Sequence, residues 1–462
     1  MIPAPDLRAV FDAREADRYD LHSRHLNHQM VRVLKTIGFD ARFVRGKGAH
    51  LWDANGDRYL DLVSGWGVFA IGRNHPHVAA ALKSVLDADL PNLVQMDVSP
   101  LAGALAERLL ARAPWLQKAF FANSGAEAVE ASIKFARSAT GRAAIVHCEH
   151  SFHGLTYGAL SAVGDRLYRD GFGPVLPDFH EIPFDDLVAL ERRLSRRDVA
   201  AFLVEPIQGK TVRPPSPAYL REAQALCRKY GALLIADEIQ SGLGRTGKFF
   251  AFEHFGVEPD LVLLAKGLSG GHVPVGVVLL RREVFAKTFD RMDRAVVHGS
   301  TFAKNDLAMA AGLATLDVIE DERLIGNAAA KGERLLASLR RLEAAHDFVR
   351  GARGLGLMLA LELGEPKSLK LRAFWAMLEA MSKGLTCQLV AIPLFKDHKI
   401  LVQVAGHGSR AIKLLPTLTL DDDDCGWIER GFGQTLAAAG DSTGPVWTLG
   451  KTLLEGARAA GA

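Results

Sequence analysis

At 462 residues the chain is too long for one simple core, and 48% hydrophobic with 24% charged residues is ordinary globular composition. The 56 basic residues stand against 53 acidic ones, a net charge of +3 with no long basic run, which excludes a nucleic-acid footprint. No apolar stretch reaches the length of a membrane span, and the start, MIPAPDLRAVFDARE, lacks the basic-then-apolar pattern of a secretory signal.

In chain order, the stretch DARFVRGKGAHLWDANGDRYLDLVSG, from Asp40, alternates in hydropathy and turns at Asn55-Gly56, a hairpin signal. The middle of the chain then alternates short apolar runs with amphipathic stretches, as an α/β parallel sheet does. KAFFAN (118–123) reads as a strand and GAEAVEASIKFARSAT as the helix after it; AAIVHC (143–148) and AAFLVEP (200–206) are the next strands. In SPAYLREAQALCRKYG, Ser216 is expected to cap a helix, with Pro217 at its first position and Gly231 just past its end. ALLIADE and DLVLLAKG follow as buried parallel strands. From Gly332 onward, long helical patterns carry a few strands, including GLGLMLALEL and AIKLLPTLTL. The run Asp421–Asp424 is expected to open a solvated helix, where carboxylates suit the dipole. AGDSTGPVW (439–447) reads as a polar hinge before a last helix. These patterns predict a large domain over 71–330, with 1–70 and 331–462 combining in a smaller α+β domain.

DEIQSGLGRTGK (237–248) contains G-x-x-x-x-G-K, the start of a phosphate-binding loop, but Phe249 follows where Ser or Thr should hold magnesium. The charges at the strand ends are more informative. Ligands of α/β sheets bind at the carboxyl ends of strands, and Asp237 ends LLIAD while Lys266 ends LVLLAK. A lysine closing a buried strand has a lowered pKa, which suits a nucleophilic amine, and a buried aspartate suits a protonated ring nitrogen. Pyridoxal phosphate needs this pair; the plain alternative is a structural Asp–Lys ion pair. In NSGAEAVE, Ser124, Gly125 and Ala126 sit where a helix start can offer N–H groups to a phosphate. Phe152 of SFHG could stack on a flat cofactor, or simply fill the core. His150 and His153 lack a second pair at ligand spacing, and the cysteines Cys148, Cys227, Cys387 and Cys425 have no C-x-x-C pattern. No metal site is expected, and the thiols are those of a reduced, cytoplasmic protein.

Taken together, GAHLWDANGDRYLDLVSG, NSGAEAVEASIKFAR, FHG, VEPIQG, LLIADEIQSGLGRTGKFFAFEHFGVEPDLVLLAKGLSGG, HGSTFAKNDLA and RGLGLMLALE make the chain resemble class III (ω-type) aminotransferases. The resemblance runs from about Gly38 to Leu420 and implies a fold-type I pyridoxal 5′-phosphate enzyme working as a homodimer. It implies that Lys266 forms the Schiff base and carries the proton, and that Asp237 partners the pyridinium. It places Ile239 and Phe152 on opposite ring faces, Gln240 on the 3′-oxygen, Gly125 and Ala126 on the phosphate, and His153 and Glu205 nearby. Thr301 of HGSTF would reach the phosphate from the neighbouring subunit.

The chain departs from that pattern at two places. Relatives acting on amino acids usually read R-L-L-P-P-L where this chain reads KLLPTL, with Lys413 at the position of an arginine that clamps a carboxylate. Ornithine- and aminobutyrate-type relatives read Q-G-E where Lys210 stands, so the usual Glu–Arg pair cannot form. Trp66, Lys210 and Lys413 are the candidate substrate contacts. Either Lys413 binds a carboxylate as a point charge, or the site is rebuilt. Two buried lysines are expected to need a substrate anion between them, or one of them must point to solvent. The segment 385–409 is expected either to widen the mouth or to form a surface hairpin. The expected activity is amino transfer from a donor such as glutamate to an aldehyde or ketone of a bulky or unusual substrate, a lipid-like one among the candidates. The alternatives are an ornithine, acetylornithine or aminobutyrate transaminase, a decarboxylase, racemase or aminomutase of the same fold, and a non-catalytic cofactor-binding protein.

Overall fold

The computed structural model describes residues 5–94, 97–381, 383–406 and 408–440. Of the hinge expected at 439–447, Ala439 ends a helix and Gly440 follows it; the rest of the hinge and the last helix lie outside the described residues. An N-terminal hairpin ladder is formed by β1 (Phe43–Lys47), β2 (His50–Asp53) and β3 (Arg58–Asp61). The Asn55-Gly56 turn closes it: Gly56 takes φ 87, and Asp53 Oδ1 accepts the N–H groups of Asn55 and Asp57.

The centre is a seven-stranded sheet of β4 (Lys118–Ala122), β5 (Ala144–Cys148), β6 (Phe179–Ile182), β7 (Val199–Val204), β8 (Leu233–Asp237), β9 (Leu261–Leu264) and β10 (Gly276–Leu280). The order is β4-β10-β9-β8-β7-β5-β6, parallel except for β10, which runs antiparallel to both neighbours. The unbroken apolar runs have a direct cause. Val262 and Leu264 enter one core cluster while Leu261 and Leu263 enter the other, so both faces of the sheet are covered.

A third, antiparallel sheet holds β11 (Val349–Leu355), β12 (Met358–Leu363), β14 (Gln403–Val404) and β15 (Ala411–Leu414). Between them, β13 (Ile400–Leu401) crosses over to pair in parallel with β3, tying the C-terminal part to the N-terminal hairpin. The segment from Leu385 is not a surface hairpin. Its helix Gln388–Lys396 is buried through Leu389, Val390, Ile392 and Leu394, and only the strands after it approach the central cleft.

Two local expectations fail. The helix Tyr219–Tyr230 has Ala218 at its N-cap without a side-chain bond, because the Ser216 hydroxyl donates to Asp185 Oδ1 at 2.8 Å instead. Its other end is as expected, with Gly231 left-handed at φ 69. Asp421 does cap the helix Asp422–Ala439, but Asp424 is not solvated: it is buried against His50 Nε2 at 2.9 Å.

Candidate active site

The carboxyl ends of β4, β5, β7, β8 and β9 open into one cleft of about 900 Å³. β8 ends on Asp237, which lies opposite Leu263 of β9, and Lys266 follows two residues beyond the end of β9. The sheet therefore delivers both charges to one edge. Lys266 begins a 3-10 turn with φ 42, a left-handed backbone held only because strand and turn fix both sides.

Asp237 and Lys266 are not an ion pair. Asp237 Oδ2 lies 2.7 Å from His153 Nδ1, and its Oδ1 accepts the Ile239 N–H at 3.1 Å. Lys266 makes no hydrogen bond or ion pair among the described residues and lines the cleft. Burial lowers its pKa, against the charges of Asp237 and Glu205, and Arg245 lowers it further. His153 is the opposite case. Burial disfavours its charge, but the Asp237 hydrogen bond and charge outweigh that and raise its pKa. Its Nε2 is buried without a partner.

At the next strand end, Ser124 caps the helix Gly125–Thr140 by accepting the Glu127 N–H at 3.1 Å. The N–H groups of Gly125 and Ala126 have no acceptor among the described residues. A Cβ on Gly125 would lie 3.0 Å from Ile239 Cδ1, so glycine lets Ile239 sit against this helix start. Glu205, after β7, holds two cleft loops by their backbone: it accepts Gly209 N–H at 2.8 Å and Phe152 N–H at 3.2 Å. Burial raises its pKa.

The opposite wall carries the two unusual lysines. Lys413, on β15, is buried and donates to the Gly209 carbonyl and, at 2.6 Å, to Gln240 Oε1. Burial and the nearby Lys266 bring its pKa down to about 7. Lys210 is ion-paired with Asp165 and lies 5.1 Å from the Tyr168 ring centre. Burial brings it down to about 8, while the Asp165 carboxylate favours its charged form. Lys413 is thus buried and the Lys210 side chain largely so, and neither points freely to solvent. The chain supplies the counter-charge at one through Asp165 and neutral acceptors at the other.

Trp66, more than half exposed, lines the mouth and donates its indole N–H to Gln403 Oε1 at 2.6 Å. Thr301 is not in this cleft. It lies on the wall of a second cavity of about 1380 Å³. Asp165, Tyr168 and Gln403 are site residues that sequence reasoning missed; nothing in their spacing marks them.

These residues fit pyridoxal phosphate. A free amine and a buried carboxylate share one cleft, unpaired N–H groups open a 16-residue helix, and a buried His153 nitrogen is without a partner among the described residues. When bound, the cofactor supplies an electron sink for the carbanion beside the transferred nitrogen.

The comparisons with known proteins agree with the geometry. Residues 36–436 match the family model described as aminotransferase class-III. The aminotransferase PigE of a Serratia species is 36% identical over 442 residues, covering 88% of this chain but 52% of PigE. The chain therefore spans about half of that relative's length. The acetylornithine aminotransferase of Methanopyrus kandleri is 44% identical over 337 residues, 72% of this chain and 83% of that protein. Among solved structures, the ornithine aminotransferase of Toxoplasma gondii superposes with a TM-score of 0.81 at 29% identity, covering 95% of this chain and 99% of that one. The fold and the cleft are those of a fold-type I pyridoxal phosphate enzyme. The chain belongs to the class III aminotransferase family, and its cofactor is pyridoxal phosphate.

Proposed function

We propose that this aminotransferase moves an amino group from a carboxylate-bearing donor, with glutamate the first candidate, to an aldehyde or ketone on a bulky, largely apolar substrate. The observation carrying this reading is Lys210, a cation that lines the cleft and pairs there with Asp165. An apolar mouth with Trp66, Val68, Leu155 and Val404 suits a long or wide acceptor. Lys210 is the cation for the donor's carboxylate, which must compete with Asp165.

In the same reading, Lys266 holds the cofactor and moves the proton at the reacting carbon, from a position free of competing bonds. Asp237, bonded to His153, holds the ring nitrogen. Phe152 and Ile239 close on the ring faces, Ser124, Gly125 and Ala126 take the phosphate, and Glu205 positions the loops carrying Phe152 and Gly209. The large unit is 71–330, and 1–70 joins 331–462 in the smaller one.

The enzyme acts as a homodimer in which the partner subunit's Thr301 reaches the phosphate. Support comes from the exposed apolar residues Val94, Val98, Met292 and Val296 around the second cavity, a surface suited to a second copy of the chain. Among the described residues no helix is long and apolar enough to cross a membrane. The four cysteines are free and buried, and on them rests the placement of the enzyme in the cytoplasm.

A second reading, an ω-amino-acid transaminase, is favoured by the acetylornithine and ornithine aminotransferases among the similar proteins. A mass-spectrometric screen of amino donors against carbonyl acceptors separates the two. Ornithine, acetylornithine or 4-aminobutyrate turning over faster than any bulky aldehyde or ketone would replace the first reading by the second.

A further inference from the structure

Lys413 lies at the junction of four chain segments. Its amine donates to the Gly209 carbonyl after β7 and to Gln240 Oε1 after β8. Gln240 in turn donates from Nε2 to the Trp66 carbonyl at 3.0 Å, and the Trp66 indole donates to Gln403, the residue opposite Lys413 in the β14–β15 ladder. The Trp66 turn is unusual backbone. Ser64, Gly65, Trp66 and Gly67 take φ 46, 61, 59 and 89, four consecutive left-handed residues that need outside bonds to hold them. The junction is also tight: a Cβ on Gly209 would lie 2.6 Å from Gln240 Oε1 and 2.9 Å from Glu205 Oε1.

This arrangement removes the two-fold ambiguity of a carboxamide. A main-chain carbonyl only accepts, so Trp66 takes the amide nitrogen, and Lys413 in its charged form only donates, so it takes the amide oxygen and imposes the same orientation. The amide nitrogen keeps a second N–H with no acceptor among the described residues, in a side chain that lines the cleft.

We propose that Lys413 is a positioning residue, which fixes the Gln240 carboxamide so that its nitrogen, not its oxygen, is offered to the ring oxygen of the cofactor, and that it does not clamp a substrate carboxylate. The inference rests on the pyridoxal phosphate reading of the cleft and adds to it. With two bonds already made in a buried site, Lys413 is committed to the protein. The other charged groups facing it are Lys266, Arg245 and Glu205. Lys210 is left as the cation for a donor's carboxylate.

The test is a spectrophotometric pH titration of the bound cofactor in the holoenzyme. A hydrogen bond donated by Gln240 favours the anionic ring oxygen and holds the titration midpoint down. Lys413→Met, similar in size and without donors, releases the amide, and the midpoint rises by about one pH unit. Gln240→Ala gives the same rise, and adding Lys413→Met to it gives no further change, because both act through one bond. Lys413→Arg, which keeps donors, stays within about half a unit of the parent. Should Lys413→Met fail to fold, Gln240→Asn puts the amide out of reach of both partners and must raise the midpoint equally. The proposal is overturned if Lys413→Met or Gln240→Asn leaves the midpoint in place. It is also overturned if Lys413→Met raises the KM for glutamate about tenfold with the spectrum unmoved, the signature of a clamp. A wild-type protein that takes up no cofactor overturns this inference and the cofactor assignment together, whereas a bound cofactor with an insensitive midpoint overturns this inference alone.

Discussion

Replacing Asp165 with Asn should make the enzyme better at using carboxylate donors. Asp165 pairs with Lys210 across the cleft wall, and both side chains are largely buried, so water screens the pair little. Asn keeps the other job of this side chain, accepting the Leu167 N–H at 3.0 Å to cap the turn behind it. What is lost is the charge alone. A hydrogen bond to a charged partner contributes about 1.5–3 kcal/mol, and every 1.4 kcal/mol is tenfold in an equilibrium. A donor carboxylate that no longer displaces Asp165 should therefore bind about ten- to a hundredfold better. Steady-state kinetics with glutamate and with an uncharged amine donor provide the assay. The KM for glutamate falls in Asp165→Asn, and that for the uncharged amine moves far less. A glutamate KM that stays the same or rises would refute competition at Lys210.

Two further outcomes follow from the other wall of the site. Asp237→Asn still binds the cofactor but loses about 4 kcal/mol of transition-state stabilisation, a rate lower by roughly a thousandfold in single-turnover kinetics; near-normal turnover would remove Asp237 from its role. His153 has a raised pKa in the folded protein, so its charged pairing with Asp237 stabilises fully below about pH 6.5 and is lost as pH rises through the raised value. The melting-temperature difference between wild type and His153→Asn should shrink along that pH course, and a difference that grows with pH would reverse the assignment of charge.

The strand-end chemistry was readable because it depends on local order. An apolar run that ends in Asp237, and another that ends in Lys266, fix the edge of the sheet at which both emerge. The start of the helix at Gly125 was equally local, since its cap lies within the motif. Contacts between distant segments were not readable. The pairing of Lys210 with Asp165 joins two loops 45 positions apart in sequence, and no periodicity predicts it. That pairing answers, within the chain, the need of a largely buried lysine for a counter-charge, which charge alone made legible but whose partner it could not name. The Asp237–His153 contact was missed for the same reason, which left an Asp–Lys ion pair as a live alternative until the geometry removed it. Ser216 shows a competition at short range: a good capping residue was taken by Asp185, and the helix began at Tyr219 instead. The acidic run at Asp421 was read as solvated because sequence gives no view of His50, which lies 374 positions away and takes Asp424 out of water.

The most direct measurement of the central claim is covalent trapping. Borohydride reduction of the cofactor-loaded enzyme, followed by peptide mapping, should place a single phosphopyridoxyl group on Lys266 and leave none on Lys210 or Lys413. A label on another lysine, or full turnover by Lys266→Ala, would contradict the account.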